Sequence, residues 1–169
     1  MKLFLSILFV LFFSFANYAQ ETNCKCCTEK YNEFDFWIGT WIVTNAEGEL
    51  VGRDVVNKIR DNCLLIEKFA RAEGDYRGTS SNFYNYSTKQ WEQVWVDNEG
   101  RSLSFKGNRI GNQMIFKSEV TKDERGDSFY YRVIWTINED GTLGNQWETI
   151  TNDIYTNVTF NGVYKKEKI

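Results

Sequence analysis

The chain has 169 residues, 17% of them aromatic, with no histidine, no proline and a formal net charge of −3. Without histidine, Ser-His-Asp and Cys-His catalysis, ordinary catalytic zinc sites and histidine-ligated haem are all excluded. An acidic pI of about 5.2, with no basic run beyond Lys165-Lys166-Glu167-Lys168, argues against a nucleic-acid surface.

Met1-Lys2 and the apolar run Leu3–Phe13 read as a secretory signal peptide. Cleavage is expected after Ala19, where a small residue precedes Gln20. The alternative, an uncleaved membrane anchor, is disfavoured because Asn17, Gln20 and Glu21 end the apolar run before it is long enough to span a bilayer. Residues 1–19 are therefore set apart as a leader, residues 20–28 as a cysteine-rich tether and residues 29–169 as one domain.

Cys24, Cys26, Cys27 and Cys63 enter an oxidising compartment on this reading, so disulfides are the default. Three cysteines crowd the tether and one lies far downstream. The expected bond is Cys27–Cys63, stapling the lead-in to the domain, with Cys24 and Cys26 left free or paired with each other. A soft-metal site on Cys-x-Cys-Cys is the alternative. From Thr28 an N-cap residue followed by helix formers predicts one or two helical turns ending near Asp35.

The hydrophobic period then changes to two. Ten strand-like segments follow, at 40–45, 50–60, 63–71, 77–86, 90–97, 101–108, 112–121, 128–138, 142–151 and 156–165. Short Gly-, Asn- and Asp-rich links such as Asn98-Glu99-Gly100 join them, which makes successive strands antiparallel neighbours. No glycine-rich phosphate loop is present; Gly107-Asn108-Arg109-Ile110-Gly111 reads as a hairpin turn. A meander of this length is best satisfied by closing into an up-and-down barrel, since closure removes both exposed edges.

Charges indicate which face looks inward. Leaving Glu92, Arg132 and Glu148 buried without partners would be costly, so they point out, and Trp91, Gln93, Trp95, Tyr131, Trp135, Asn145, Trp147 and Thr149 point in. A four-residue loop Tyr86–Lys89 sets Tyr84 opposite Trp91 and Asn82 opposite Gln93, adding Ser80, Asn82 and Tyr84 to the interior. The second and third strands resist this treatment. A two-residue turn at Asp61-Asn62 puts Arg53 and Lys68 inside, a three-residue turn puts Glu67 inside, and the preferred arrangement is Arg53 with Glu67 as a buried ion pair.

Gly39-Thr40-Trp41 at the head of the first strand resembles the Gly-x-Trp opening of the calycin superfamily, the lipocalins and their ten-stranded relatives. More closely, Phe34-Asp35-Phe36-Trp37-Ile38-Gly39-Thr40-Trp41, Asn62-Cys63-Leu64-Leu65-Ile66-Glu67, Asn82-Phe83-Tyr84, Trp91–Asp97 and Gln146-Trp147-Glu148 resemble a family of bacterial lipocalin-like domains of uncharacterised function, across residues 27–165. The resemblance implies a β-barrel and brings no ligand. The nitrobindin branch binds haem through a histidine, and this chain has none.

The expected fold is thus all-β, a ten-stranded antiparallel calycin-like barrel behind a short helical turn. Phe34, Trp37, Gly39 and Trp41 are expected to plug one end. An interior of aromatics with several amides suits a cavity for a small hydrophobic or aromatic molecule, formed by Arg53, Glu67, Asn82, Tyr84, Gln93, Trp95, Trp135 and Trp147. No cofactor, metal, nucleic acid or stable membrane anchor is expected. Any acid-base catalysis would fall to Glu67 or Tyr84.

Overall fold

A computed structural model describes residues 24–168. The leader, its cleavage after Ala19 and the start of the tether lie outside the described residues. A single helical turn, α1 (Glu29–Asn32), and a 3-10 turn (Asp35–Trp37) lead into strands β1 (Gly39–Asn45), β2 (Leu50–Ile59), β3 (Leu64–Arg71), β4 (Arg77–Asn85), β5 (Gln90–Asp97), β6 (Ser102–Ile110) and β7 (Gln113–Ser118). After β8 (Thr121–Lys122) come β9 (Ser128–Ile137), β10 (Leu143–Thr151) and β11 (Tyr155–Lys166).

Every pairing is antiparallel. The sheet runs β10-β11-β1-β2-β3-β4-β5-β6-β7-β9 and closes through a β9–β10 ladder from Leu143↔Ile137 to Thr151↔Phe129. This is a closed ten-stranded barrel, with two-residue β8 paired to β9 outside it. The segment 112–121, expected as one strand, divides there: β7 stops at Ser118 and β8 pairs only with the start of β9.

The lead-in packs across the end of the barrel marked by the β2–β3, β4–β5 and β6–β7 turns. Phe34 and Trp37 are fully buried and stacked with centroids 4.8 Å apart. Trp37 lies 4.4 Å from Trp135, and the Trp41 indole donates to the Trp37 carbonyl at 2.8 Å. Apart from that stacked pair, Phe34 and Trp37 meet Trp91, Phe116 and Trp135 at tilted or edge geometry, an arrangement aromatic quadrupoles favour. The backbone at Gly39 has φ +144°, a region open mainly to glycine, so the chain can turn from the plug into β1. Lys58 fastens the lead-in, donating to Asp35 at 2.6 Å and to the Tyr31 carbonyl at 3.0 Å.

Two expectations are corrected at this end and on β2. The long-range disulfide joins Cys26, not Cys27, to Cys63, with Cα atoms 5.0 Å apart. Residues 24–27 form a turn, the Cys27 amide donating to the Cys24 carbonyl at 3.3 Å, which sets Cys24 beside Cys27 for a second disulfide and leaves buried Cys26 facing Cys63. Arg53 does not pair with Glu67 inside the barrel. It points outward, where its guanidinium donates to Glu167 at 2.8 Å. The register is Ile59↔Leu64 and Val56↔Glu67, so Asp54, Val56, Leu65 and Glu67 are the inward residues. The preferred Arg53–Glu67 pair misfaced β2 because it put Asp54 and Lys58 outside. Lys58 reaches its partners at the plug, and Asp54 is buried as a carboxyl whose charge is suppressed.

Candidate functional site

Above the plug the barrel is hollow. A cavity of about 370 Å³ lies between the plug and the end bearing the β3–β4 and β5–β6 loops. Its volume is within the range of small-molecule sites. Trp95, Leu103, Phe69, Phe160 and Trp147 form the walls, Trp135 and Tyr164 lie toward the plug, and Arg71, Tyr76 and Arg101 stand at the mouth. Because Trp135 packs on Trp37, the motif that closes the barrel also supports the floor of the cavity.

Trp95 takes its place through a neighbouring glycine. A Cβ on Gly78 of β4 would fall 2.0 Å from the Trp95 ring, so only the bare backbone lets the indole lie flat against that strand. The same indole donates to Asp97 at 3.4 Å. Asp97 also accepts from Tyr76 at 3.1 Å and Arg101 at 3.0 Å, tying the rim together. Burial pushes the Asp97 carboxyl up, but hydrogen bonds from the Arg101 and Glu99 amides and from Trp95 and Tyr76 outweigh it and hold the carboxyl below its usual range. Arg71 and Arg101 both lie over the Tyr76 ring, at 4.8 and 5.7 Å from its centroid.

The polar floor is an interior network. The Ser80 hydroxyl donates to Glu67 at 2.5 Å and accepts from the side-chain amides of Asn82 at 2.8 Å and Gln93 at 3.5 Å. Opposite them, Asn145 accepts from the Trp147 indole at 3.0 Å. Glu67 has no cationic partner among the described residues; its eight-member set of ion pairs does not include it. Burial, with the nearby Asp54 carboxyl and against the Ser80 hydrogen bond, raises the Glu67 carboxyl well above its usual range. Asp54 lies between this network and the plug. Burial pushes it up from 3.8 to about 7, while the Trp37 indole and the Val55 amide ease it without reaching hydrogen-bond geometry. Tyr164 is raised well above its usual value by burial and by the two carboxyls. The inner barrel therefore carries two carboxyls, no cation and a phenol, and at mildly acidic pH all three are neutral.

Of the residues singled out from sequence, Glu67, Gln93, Trp95, Trp135 and Trp147 line this cavity. Asn82 is fully buried behind Ser80, and Tyr84 packs toward the plug against Tyr31 at 5.3 Å and Trp91 at 6.2 Å. Arg53 is outside the barrel. Sequence reasoning missed Asp54, Phe69, Tyr76 and Tyr164. Tyr164 was accessible from alternation alone, since Val43 and Trp41 on the neighbouring strand mark the inward face that it shares. No protein-family model matches this chain, and no curated protein sequence matches it either.

Proposed function

We propose that the chain is a secreted, lipocalin-like binding protein that holds a small hydrophobic or aromatic molecule in the barrel cavity. The observation that carries this reading is the cavity itself, about 370 Å³ walled by Trp95, Trp147, Phe69 and Phe160. A barrel built only for stability would fill that volume with side chains, because close packing is what an interior gains from folding. Two disulfides in a small domain support an oxidising compartment. The lipocalin-like assignment draws on the Gly39-Thr40-Trp41 opening together with the closed ten-stranded barrel.

Titration with naphthalene-sized apolar probes tests it. Saturable binding that quenches tryptophan fluorescence is expected, because three indoles border the cavity. A barrel that excludes every such probe overturns the reading. A second reading, a cofactor-free isomerase or hydrolase, has one observation in its favour: Glu67 is a carboxyl with a raised pKa lining an accessible cavity. It predicts that a bound molecule is recovered chemically changed after incubation with the native protein and unchanged with Glu67→Gln.

A further inference from the structure

The floor of the cavity holds buried polar atoms that no group of the protein satisfies, and their donor and acceptor character is fixed by the network around them. Ser80 Oγ accepts from Asn82 and Gln93, so its lone pairs are used and its own proton goes to Glu67 Oε2. Gln93 must then present its carbonyl oxygen to the remaining space. That oxygen is buried without a partner, on a side chain only 3% exposed. Glu67 Oε2 is committed as an acceptor, so a neutral Glu67 carries its proton on Oε1 and is a donor. Burial beside Asp54 keeps that proton on.

Across the cavity the Trp147 indole fixes the Asn145 amide in the same way. Its oxygen accepts from the indole, and its Nδ2, on a residue 1% exposed, is left as a buried donor without a partner. The Trp135 indole N–H is a further buried donor with none. All four residues border the one cavity. Unpaired buried polar groups are rare in folded proteins and call for a partner. Here three of them join the Glu67 carboxyl in a pattern: a donor at Glu67 beside an acceptor at Gln93, their Oε2 and Nε2 atoms both within 3.5 Å of Ser80 Oγ, with donors at Asn145 and Trp135 lining the same cavity.

We propose that the cavity selects an uncharged, flat ring compound carrying a carbonyl beside an N–H, a cyclic amide, whose carbonyl accepts from Glu67 and whose N–H donates to Gln93 while the ring lies among the tryptophans. This rests on the ligand-binding reading above and narrows it. Asn145 and Trp135 are available to a second acceptor on the far edge of the ring. A carboxylate of the same shape is disfavoured at the floor, because it would bring a third acidic group beside Glu67 and Asp54, while the cations that line the cavity, Arg71 and Arg101, stand at its mouth.

Equilibrium dialysis of the purified, disulfide-intact protein at mildly acidic pH tests it with four probes of nearly one shape. They are carbostyril, which has the lactam edge; N-methylcarbostyril, which lacks the donor; naphthalene, which lacks both groups; and β-naphthoate, which is charged. Carbostyril should bind at least about tenfold tighter than N-methylcarbostyril or naphthalene, and β-naphthoate should bind weakest. Gln93→Leu should bind carbostyril no tighter than N-methylcarbostyril. If naphthalene binds and carbostyril binds no tighter, the lactam proposal is overturned and the hydrophobic-binding reading stands. If none of the four binds, that reading falls and the proposal with it. The probe series on the native protein decides the matter even where Gln93→Leu does not fold.

Discussion

Replacing Asp54 by asparagine should make the protein more stable at neutral and alkaline pH. The carboxyl ionises near 3.8 when unfolded and near 7 in the barrel, because burial opposes its charge. Between those values the fold holds a proton that the unfolded chain has released, so stability is fully present below the lower value and falls as pH rises through the upper one. At ~1.4 kcal/mol per pH unit, the gap amounts to about 4 kcal/mol, of which about 3 kcal/mol is lost between pH 5 and pH 8. Against a total stability of roughly 5–15 kcal/mol for a domain, this is a large fraction. Glu67 acts in the same direction, since its carboxyl is also raised by burial and by Asp54.

Asparagine keeps the shape of the neutral acid and cannot ionise. Urea denaturation followed by near-ultraviolet circular dichroism at pH 5 and pH 8 gives the comparison. The wild type should weaken as pH rises, and the advantage of Asp54→Asn over it should widen by about 3 kcal/mol between the two conditions. In thermal melts that corresponds to roughly 6–12 °C at about 2–4 °C per kcal/mol. Parallel curves for the two proteins would mean that Asp54 ionises in the fold as it does in water, and would refute the account of the inner barrel as an uncharged site.

Trp41→Ala, which removes a ring 2% exposed and its hydrogen bond to the Trp37 carbonyl, should lower unfolding free energy by about 3–5 kcal/mol in chemical denaturation. Serine at both Cys26 and Cys63 opens a closure spanning 37 residues and should destabilise by about 4 kcal/mol, against about 2 kcal/mol for opening Cys24–Cys27, as read by urea midpoints. Gly78→Ala drives a methyl into the Trp95 ring; the indole must leave the wall, so probe affinity should fall and the tryptophan emission shift while the barrel still folds.

The strand pattern was legible because alternation in a closed barrel is enforced on every strand at once, and the predicted segments match nine of the ten barrel strands to within about two residues. Only β7 ended early, where Ser118 bonds to the Glu119 carbonyl and the chain leaves the barrel to form β8. The cysteine pairing was not legible, because Cys26 and Cys27 are equally near Cys63 along the chain and only the turn at 24–27 separates them. Four of the eight expected cavity residues, Gln93, Trp95, Trp135 and Trp147, followed from one rule, that fixed charges face water and their strand neighbours therefore face in. The rule works for Glu92, which accepts from the Asn85 side chain at 2.9 Å rather than facing the interior.

The same rule could not settle β2, where charges fall on both faces, and the reason bears on the cavity. Facing is set by charge only where the charge is permanent; a carboxyl can be buried by keeping its proton, and Asp54 does so. Neutralisation does not make it a contributor to the fold, because both its oxygens lack hydrogen-bond partners and every rise in pH toward neutrality lowers stability through it. A leucine or asparagine would serve the barrel better there. What Asp54 does contribute is its effect on Glu67: burial holds the Glu67 proton on, and as Asp54 ionises with rising pH its charge opposes a second one there. Sequences depart from local rules mainly at sites under functional demand, and here the departure lies directly behind the one carboxyl that faces the cavity. A neutral Glu67 is a hydrogen-bond donor at the floor of the cavity, and that is the group the proposed carbonyl ligand requires.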